Sequence, residues 1–186
     1  NERYGQAVIL NAIGQKITQA ADWGEMAKVI VDETRGMLTG ASKSTIYVID
    51  ETTGDLVIQA CSEVNPTHSG MPPLHHSQGI AGKAIRDRKA INVPDARLEP
   101  DFLDRGAADL RSLLVAPLFS GNHSIGVISA DSDRVSAFNA EDQQLLGSLA
   151  VQASLAIEKA RLYQQEHERQ AEHRGETKHS LHGGTQ

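Results

Sequence analysis

A single cysteine, Cys61, is all that the 186 residues contain. An internal disulfide and a cysteine-rich zinc site are therefore excluded. A basic excess is missing too. The formal net charge is −6, and a nucleic-acid binder would normally present a basic face. No apolar run approaches the ~18 residues that a membrane helix needs. No basic-then-apolar leader opens the chain, and a start on Asn1 rather than Met suggests a fragment of something longer. With the lone cysteine, this gives the expectation of a reducing, cytoplasmic home. Catalytic signatures are absent as well: no phosphate-cradling Gly-rich loop, no HExxH run and no Ser-His-Asp ordering. Gly79 and Gly82 lack the full phosphate-loop spacing and fit close packing of a short helix instead.

What is present suits one domain with a flanking helix, long enough to bury a core without staples. Apolar residues make up 39% of the chain, yet 164–186 hold only Ala171 and Leu181. The expected division is a domain over 1–163 and a polar helical stalk or disordered tail over 164–186, leading to an output domain this chain lacks.

Apolar residues at three- and four-residue spacings (Val8, Ile9, Ala12, Ile13, Ile17, Ala20) predict an amphipathic helix over 3–21. Asp22 is a fair N-cap for a second helix carrying Met26, Val29, Ile30, Met37 and Leu38, which Gly40 stops. The period then changes. Residues 44–61 read as a hairpin about the turn 50–55, and 62–73 as a loop. A short helix is expected over 79–89, a brief strand over 90–93 and another short helix near Asp101–Leu110. Strands over 112–119 and 124–130 flank a turn at Ser120–His123. Asn139 caps a closing helix, with Glu141 and Asp142 complementing its positive start. This is an α+β plan, one antiparallel sheet with long helices on one face and the irregular middle of the chain on the other.

Specific strings now carry a resemblance. Gly79-Ile80-Ala81-Gly82-Lys83-Ala84-Ile85 with Ala90-Ile91-Asn92-Val93-Pro94-Asp95, then Arg111–Leu118, then Gly126–Ser132, then Phe138–Asp142 leading into Ala156–Tyr163, resemble in that order the bacterial signalling-type GAF domain family. The resemblance covers roughly 7–163. It implies a PAS-related antiparallel sheet of about six strands. N- and C-terminal helices would pack on one face, with short helices and loops over a pocket on the other. It also implies a module set in signalling proteins, often dimeric through its terminal helices, whose pocket takes a nucleotide, tetrapyrrole or metabolite.

Which ligand is a matter of residues. The family's cyclic-nucleotide members share an Asn-Lys pair, a downstream Phe and an Asp-Glu pair. Here Asp131-Ser132 stands near the first, Phe138 is present and Asp142-Gln143 replaces the last, so that ligand is disfavoured. Bilin attachment needs a cysteine in the middle segment, and 94–112 have none. Cys61 on the hairpin suits a small buried hydrophobe. Of eight histidines, His167, His173, His179 and His182 lie in the polar tail, and His68 and His123 in loops. His75 and His76 are adjacent and on a strand would face opposite ways, leaving at most one for a haem. Members that reduce free methionine sulfoxide carry several redox cysteines, because one thiolate attacks and another resolves. The expectation is therefore no enzyme, with no catalytic residue, no metal and an unidentified cofactor or ligand. The residues expected to line a pocket are His75, Ile80, Asp95, Phe102, Leu110, Ser112, Leu114, Ile128 and Ala130.

A heptad seam follows in the closing helix: Leu146, Leu149, Ala153, Ala156, Ala160, Tyr163, His167, Gln170, spaced 3,4,3,4,3,4,3. Leu146 to Tyr163 are expected to form a homodimer seam that relays ligand occupancy, with packing inside one subunit as the competing use of the same spacing. The functional expectation is a non-catalytic sensing module, the alternatives being a ligand-free dimerisation spacer or a cyclic-nucleotide site. A linked output domain and a small molecule are the expected partners, with no nucleic acid and no membrane.

Overall fold

A computed structural model describes residues 23–63, 72–106 and 109–180. The expected helix over 3–21 and its neighbour Asp22 lie outside them.

Helix α1 (Trp23–Met37) buries Met26, Ala27, Ile30, Val31 and Thr34, one stripe at helical spacing. The one polar member of that stripe is satisfied inside its own helix: Thr34 Oγ1 donates to the Ile30 carbonyl at 2.7 Å. Strands β1 (Lys43–Ile49) and β2 (Leu56–Cys61) form the expected hairpin. Its turn is organised by Asp50 Oδ1, which accepts the amides of Thr52 and Thr53. Helix α2 (Gly79–Asp87) and the short β3 (Ile91–Val93) follow. Then come β4 (Ser112–Ser120), β5 (His123–Ser132) and α3 (Ala140–Ser180).

The strands form one sheet in the order β2-β1-β5-β4-β3, every pair antiparallel. Five strands are present among the described residues, against about six expected. The helix expected near Asp101–Leu110 is corrected: the described part of that stretch is turns and irregular backbone. The Asp104 carboxylate accepts the Gly106 amide in a local turn, and Gly106 itself takes a positive φ of 92°.

Both faces of the sheet are covered. On one face Ile46, Leu114, Ala116, Leu118, Ile128 and Ala130 pack beneath α1 and α3. On the other Leu56, Val93, Leu113, Val115 and Val127 pack against Ile80, Ala81 and Ala84 of α2. Helix α3 is fixed at its start by Asn139, whose Oδ1 accepts the amides of Glu141 and Asp142 while Asp142 Oδ2 accepts the Asn139 amide. Further along, Gln143 donates to the Ala90 carbonyl, Ser154 Oγ accepts the Phe119 amide and Glu158 accepts from Ser120 Oγ. The helix is thereby tied to the sheet at three levels.

Candidate functional site

Alternation along the strands decides what looks away from the long helices. Those positions, Lys43 and Tyr47 of β1, Leu113 and Val115 of β4, and Val127, Ser129 and Asp131 of β5, form the floor of a cavity of about 110 Å³. Gly79, Ile80 and Ala81 at the start of α2 make one wall, with Leu56 and Leu74. Phe102, Leu103, Arg105 and Leu110 close over the top.

Two glycines allow these parts to meet. A Cβ on Gly82 would stand 2.2 Å from the Ser77 carbonyl carbon, so α2 can tuck under its own entry loop only without a side chain there. A Cβ on Gly126 would stand 2.0 Å from the Tyr47 carbonyl oxygen, which is what brings β1 and β5 into register beside the cavity. The irregular cover is held by charge. Lys83 of α2 donates to Asp101 at 2.9 Å and stands 3.6 Å from Glu99. The hydrogen bond to Asp101 raises the Lys83 pKa, and the same bond lowers that of Asp101. Arg105 donates to the Pro72 carbonyl through Nε and Nη2, joining the cover to the loop before α2.

The floor holds an acid in a largely apolar bowl. Lys43 and Asp131 are paired residues of adjacent strands, with Nζ 3.6 Å from Oδ2 and side chains only 15% and 13% exposed. Asp131 Oδ1 is buried with no hydrogen-bond donor in the described protein. Burial raises the Asp131 pKa, against the pull of Lys43 in the opposite direction. The Tyr47 phenol is likewise pushed up, first by burial and then by the nearby Asp131 charge.

Of the residues expected from sequence, Ile80, Phe102 and Leu110 line the cavity. Leu114, Ile128 and Ala130 are corrected to the helix-covered face. Ser112 shares that parity and hydrogen-bonds the Arg134 carbonyl and the Ala137 amide. The correction has a plain cause: both faces of β4 and β5 are buried, so alternation names two sets without saying which is which. His75 lies outside the cavity too, bridged to Asp55 with its ring 2.7 Å from Ser77 Oγ. The His76 ring lies 4.3 Å away, against the Gly54 carbonyl. Asp95 accepts the Arg97 amide in the turn after β3. Lys43, Tyr47, Arg105, Ser129 and Asp131 were not anticipated. A usable signal existed for Asp131, since it shares the parity of Ser129 and Val127 and is the one charge in the run 124–132.

The closing-helix seam also finds its place. Leu146, Leu149 and Ala153 are 0–1% exposed and Ala156 is 8%, all within this chain's own core, and Ala160 packs at its edge. Tyr163 is exposed. The expected dimer seam is thus corrected to an internal one: α3 turns that stripe onto the sheet and α1 because the apolar face of the sheet needs cover. A different stripe, Val151, Leu155 and Leu162, faces outward at 58–60% exposure.

A model of the GAF domain family matches residues 20–158. The chain belongs to the GAF domain family. The nitrogen fixation protein VnfA of Azotobacter vinelandii is 25% identical over 160 residues, a match spanning 81% of this chain and 30% of that one. The chain thus corresponds to under a third of that relative. Among solved structures, residues 122 to 287 of a methyl-accepting chemotaxis protein superpose with a TM-score of 0.66 at 23% identity, covering 81% of this chain and 98% of that one. The free methionine-R-sulfoxide reductase of Neisseria meningitidis, solved with its substrate, superposes with a TM-score of 0.74 at 23% identity, covering 88% and 94%. That likeness corrects one expectation. The GAF architecture is shared by an enzyme, so the reading of this GAF domain as no enzyme is withdrawn. Cys61 itself is buried on β2, beside Thr45 and outside the cavity lining. No helix among the described residues is long and apolar enough to cross a membrane.

Proposed function

We propose that this GAF domain is the sensing module of a signalling protein. A small molecule occupies the cavity, and its presence is passed through the sheet to α3, which meets the same helix of a second copy and leads on to an output domain. One observation carries the reading. Consecutive residues of β4 serve both sides: Leu113 and Val115 line the cavity while Leu114 and Ala116 lie beneath α1 and α3. A ligand that presses the first pair displaces the second, and a packed layer transmits such a shift because it has no slack. The name of the methyl-accepting chemotaxis neighbour agrees with a signalling setting, and the single free cysteine agrees with a cytoplasmic one.

The meeting face in this proposal is Val151, Leu155 and Leu162 rather than the internal seam. The cyclic-nucleotide alternative loses ground because the Asn-Lys and Asp-Glu pairs of such members are replaced here by Asp131-Ser132 and Asp142-Gln143. A ligand-free dimerisation spacer keeps the outward stripe as its support. A thermal-shift series separates it from the sensor, since a molecule that binds only the native state raises its melting temperature. Light scattering tests the relay face. The wild-type chain is expected to be dimeric and the Val151→Glu/Leu155→Glu variant monomeric and folded. A dimer that survives both substitutions rules that face out.

A further inference from the structure

Deepening that proposal and resting on it, we infer that the occupant is a small zwitterion: a compact aliphatic body bearing an ammonium and a carboxylate, as an aliphatic amino acid does. Three charged side chains line the cavity, Lys43, Asp131 and Arg105, and most of the remaining lining is apolar. Their arrangement asks for both signs in one ligand. Asp131 turns Oδ2 towards Lys43 Nζ at 3.6 Å and leaves Oδ1 buried without a donor. A buried carboxylate oxygen without a donor is costly, and a small turn of the Asp131 side chain would present Oδ1 to an N–H donor of the occupant and remove that cost. An ammonium delivers the donor together with the opposite charge.

The cover supplies the other half. Arg105 spends Nε and Nη2 on the Pro72 carbonyl, and a guanidinium has five N–H donors in all, so donors remain for a carboxylate at the mouth. The charges then alternate in space: Lys43, Asp131, ligand ammonium, ligand carboxylate, Arg105. A purely cationic ligand would satisfy Asp131 but add a third positive charge to Lys43 and Arg105 and leave the donors of Arg105 unused. A purely anionic one would face Asp131. Leu113, Val115, Val127, Ile80 and Phe102 provide the surface for the aliphatic body. A volume of about 110 Å³ is comparable to the ~150 Å³ cavity that takes up benzene, so the body is of about that size.

Four probes that share the isoamyl chain test this on the whole chain, by NMR titration of the backbone amides of Ala81, Val115 and Val127: L-leucine, isoamylamine, 4-methylpentanoate and isoamyl alcohol. L-Leucine is expected to bind at least about tenfold more tightly than each of the other three. Asp131→Asn is expected to reduce L-leucine to the affinity of 4-methylpentanoate, while binding 4-methylpentanoate at least as tightly as the wild type does. If isoamyl alcohol, the amine or the carboxylate equals L-leucine on the wild type, the zwitterion is wrong and the cavity stands as a binding site. If no probe moves those amides, the zwitterion and the binding role of the cavity fall together. The wild-type series decides between these outcomes even if the variant does not fold.

Discussion

Asp131 illustrates how a buried acid bears on the stability of the fold. Its folded-state pKa is raised by burial, so the folded chain holds that proton more tightly than the unfolded chain does. The contribution of Asp131 is therefore most favourable below the ordinary carboxylate range. It is lost as pH rises from that range up to the raised folded value. Asparagine cannot ionise. The melting temperature of Asp131→Asn relative to wild type is thus expected to increase as pH rises from about 4, followed by calorimetry. A difference that stays flat or shrinks with pH contradicts the burial of an ionised Asp131. At the neighbouring strand, the two parities should behave differently. Leu114→Ala, at 0% exposure beneath the long helices, is expected to cost about 2–5 kcal/mol in urea unfolding. Leu113→Ala borders the cavity and is expected to cost less while weakening whatever the cavity holds.

At the scale of elements, the cover over the cavity is held to α2 by Lys83 with Asp101 and Glu99. Lys83→Ala is expected to leave the melting temperature nearly unchanged, because the pair is solvent-exposed. It should also speed hydrogen exchange of the Phe102 amide, which donates to the Glu99 carbonyl in the cover's turn. Equal exchange in both proteins would show that the cover is held by its apolar contacts alone. The start of α3 gives a second measure. Asn139→Ala removes an acceptor shared by the amides of Glu141 and Asp142, with an expected cost of about 0.5–2 kcal/mol in denaturant unfolding. This cap was legible in the sequence, as were both hairpins, α2 and the brief β3, because each announces itself within a few residues. The cover was not. Its ties through Arg105 and Lys83 rest on partners 33 and 18 positions away. The polarity of β4 was hidden for a related reason: Leu113 to Leu118 is apolar on both parities except for the turn-prone Pro117. Only tertiary contact tells the two faces apart. Likewise, the seam from Leu146 to Ala156 was correctly seen as a stripe and misassigned as to what covers it, since one spacing serves a partner helix and a sheet equally.

At the scale of the whole molecule, two apolar clusters share one sheet as their common wall. The cluster around α1 and α3 includes Leu146 and Leu149, and the cluster around α2 includes the cavity lining. A small occupant therefore adds contacts to the less complete of the two. Such an occupant is expected to raise the midpoint of the whole unfolding transition rather than of part of it, because neither cluster has a sheet of its own. Calorimetry with and without L-leucine measures this, and two separate transitions would count against a single cooperative unit.

Beyond its ties to the sheet, α3 is still held at Arg161, which pairs with Glu51 in the turn between β1 and β2, yet the helix runs on unbroken to Ser180. Those further residues extend about 28 Å at the helical rise. If α3 relays occupancy as proposed, they are a lever arm whose fulcrum lies at that hairpin turn. A tilt of about 5° at the fulcrum sweeps the far tip through roughly 2.5 Å on that length, so a sub-ångström adjustment beside the cavity would arrive downstream as a displacement on the scale of an atom.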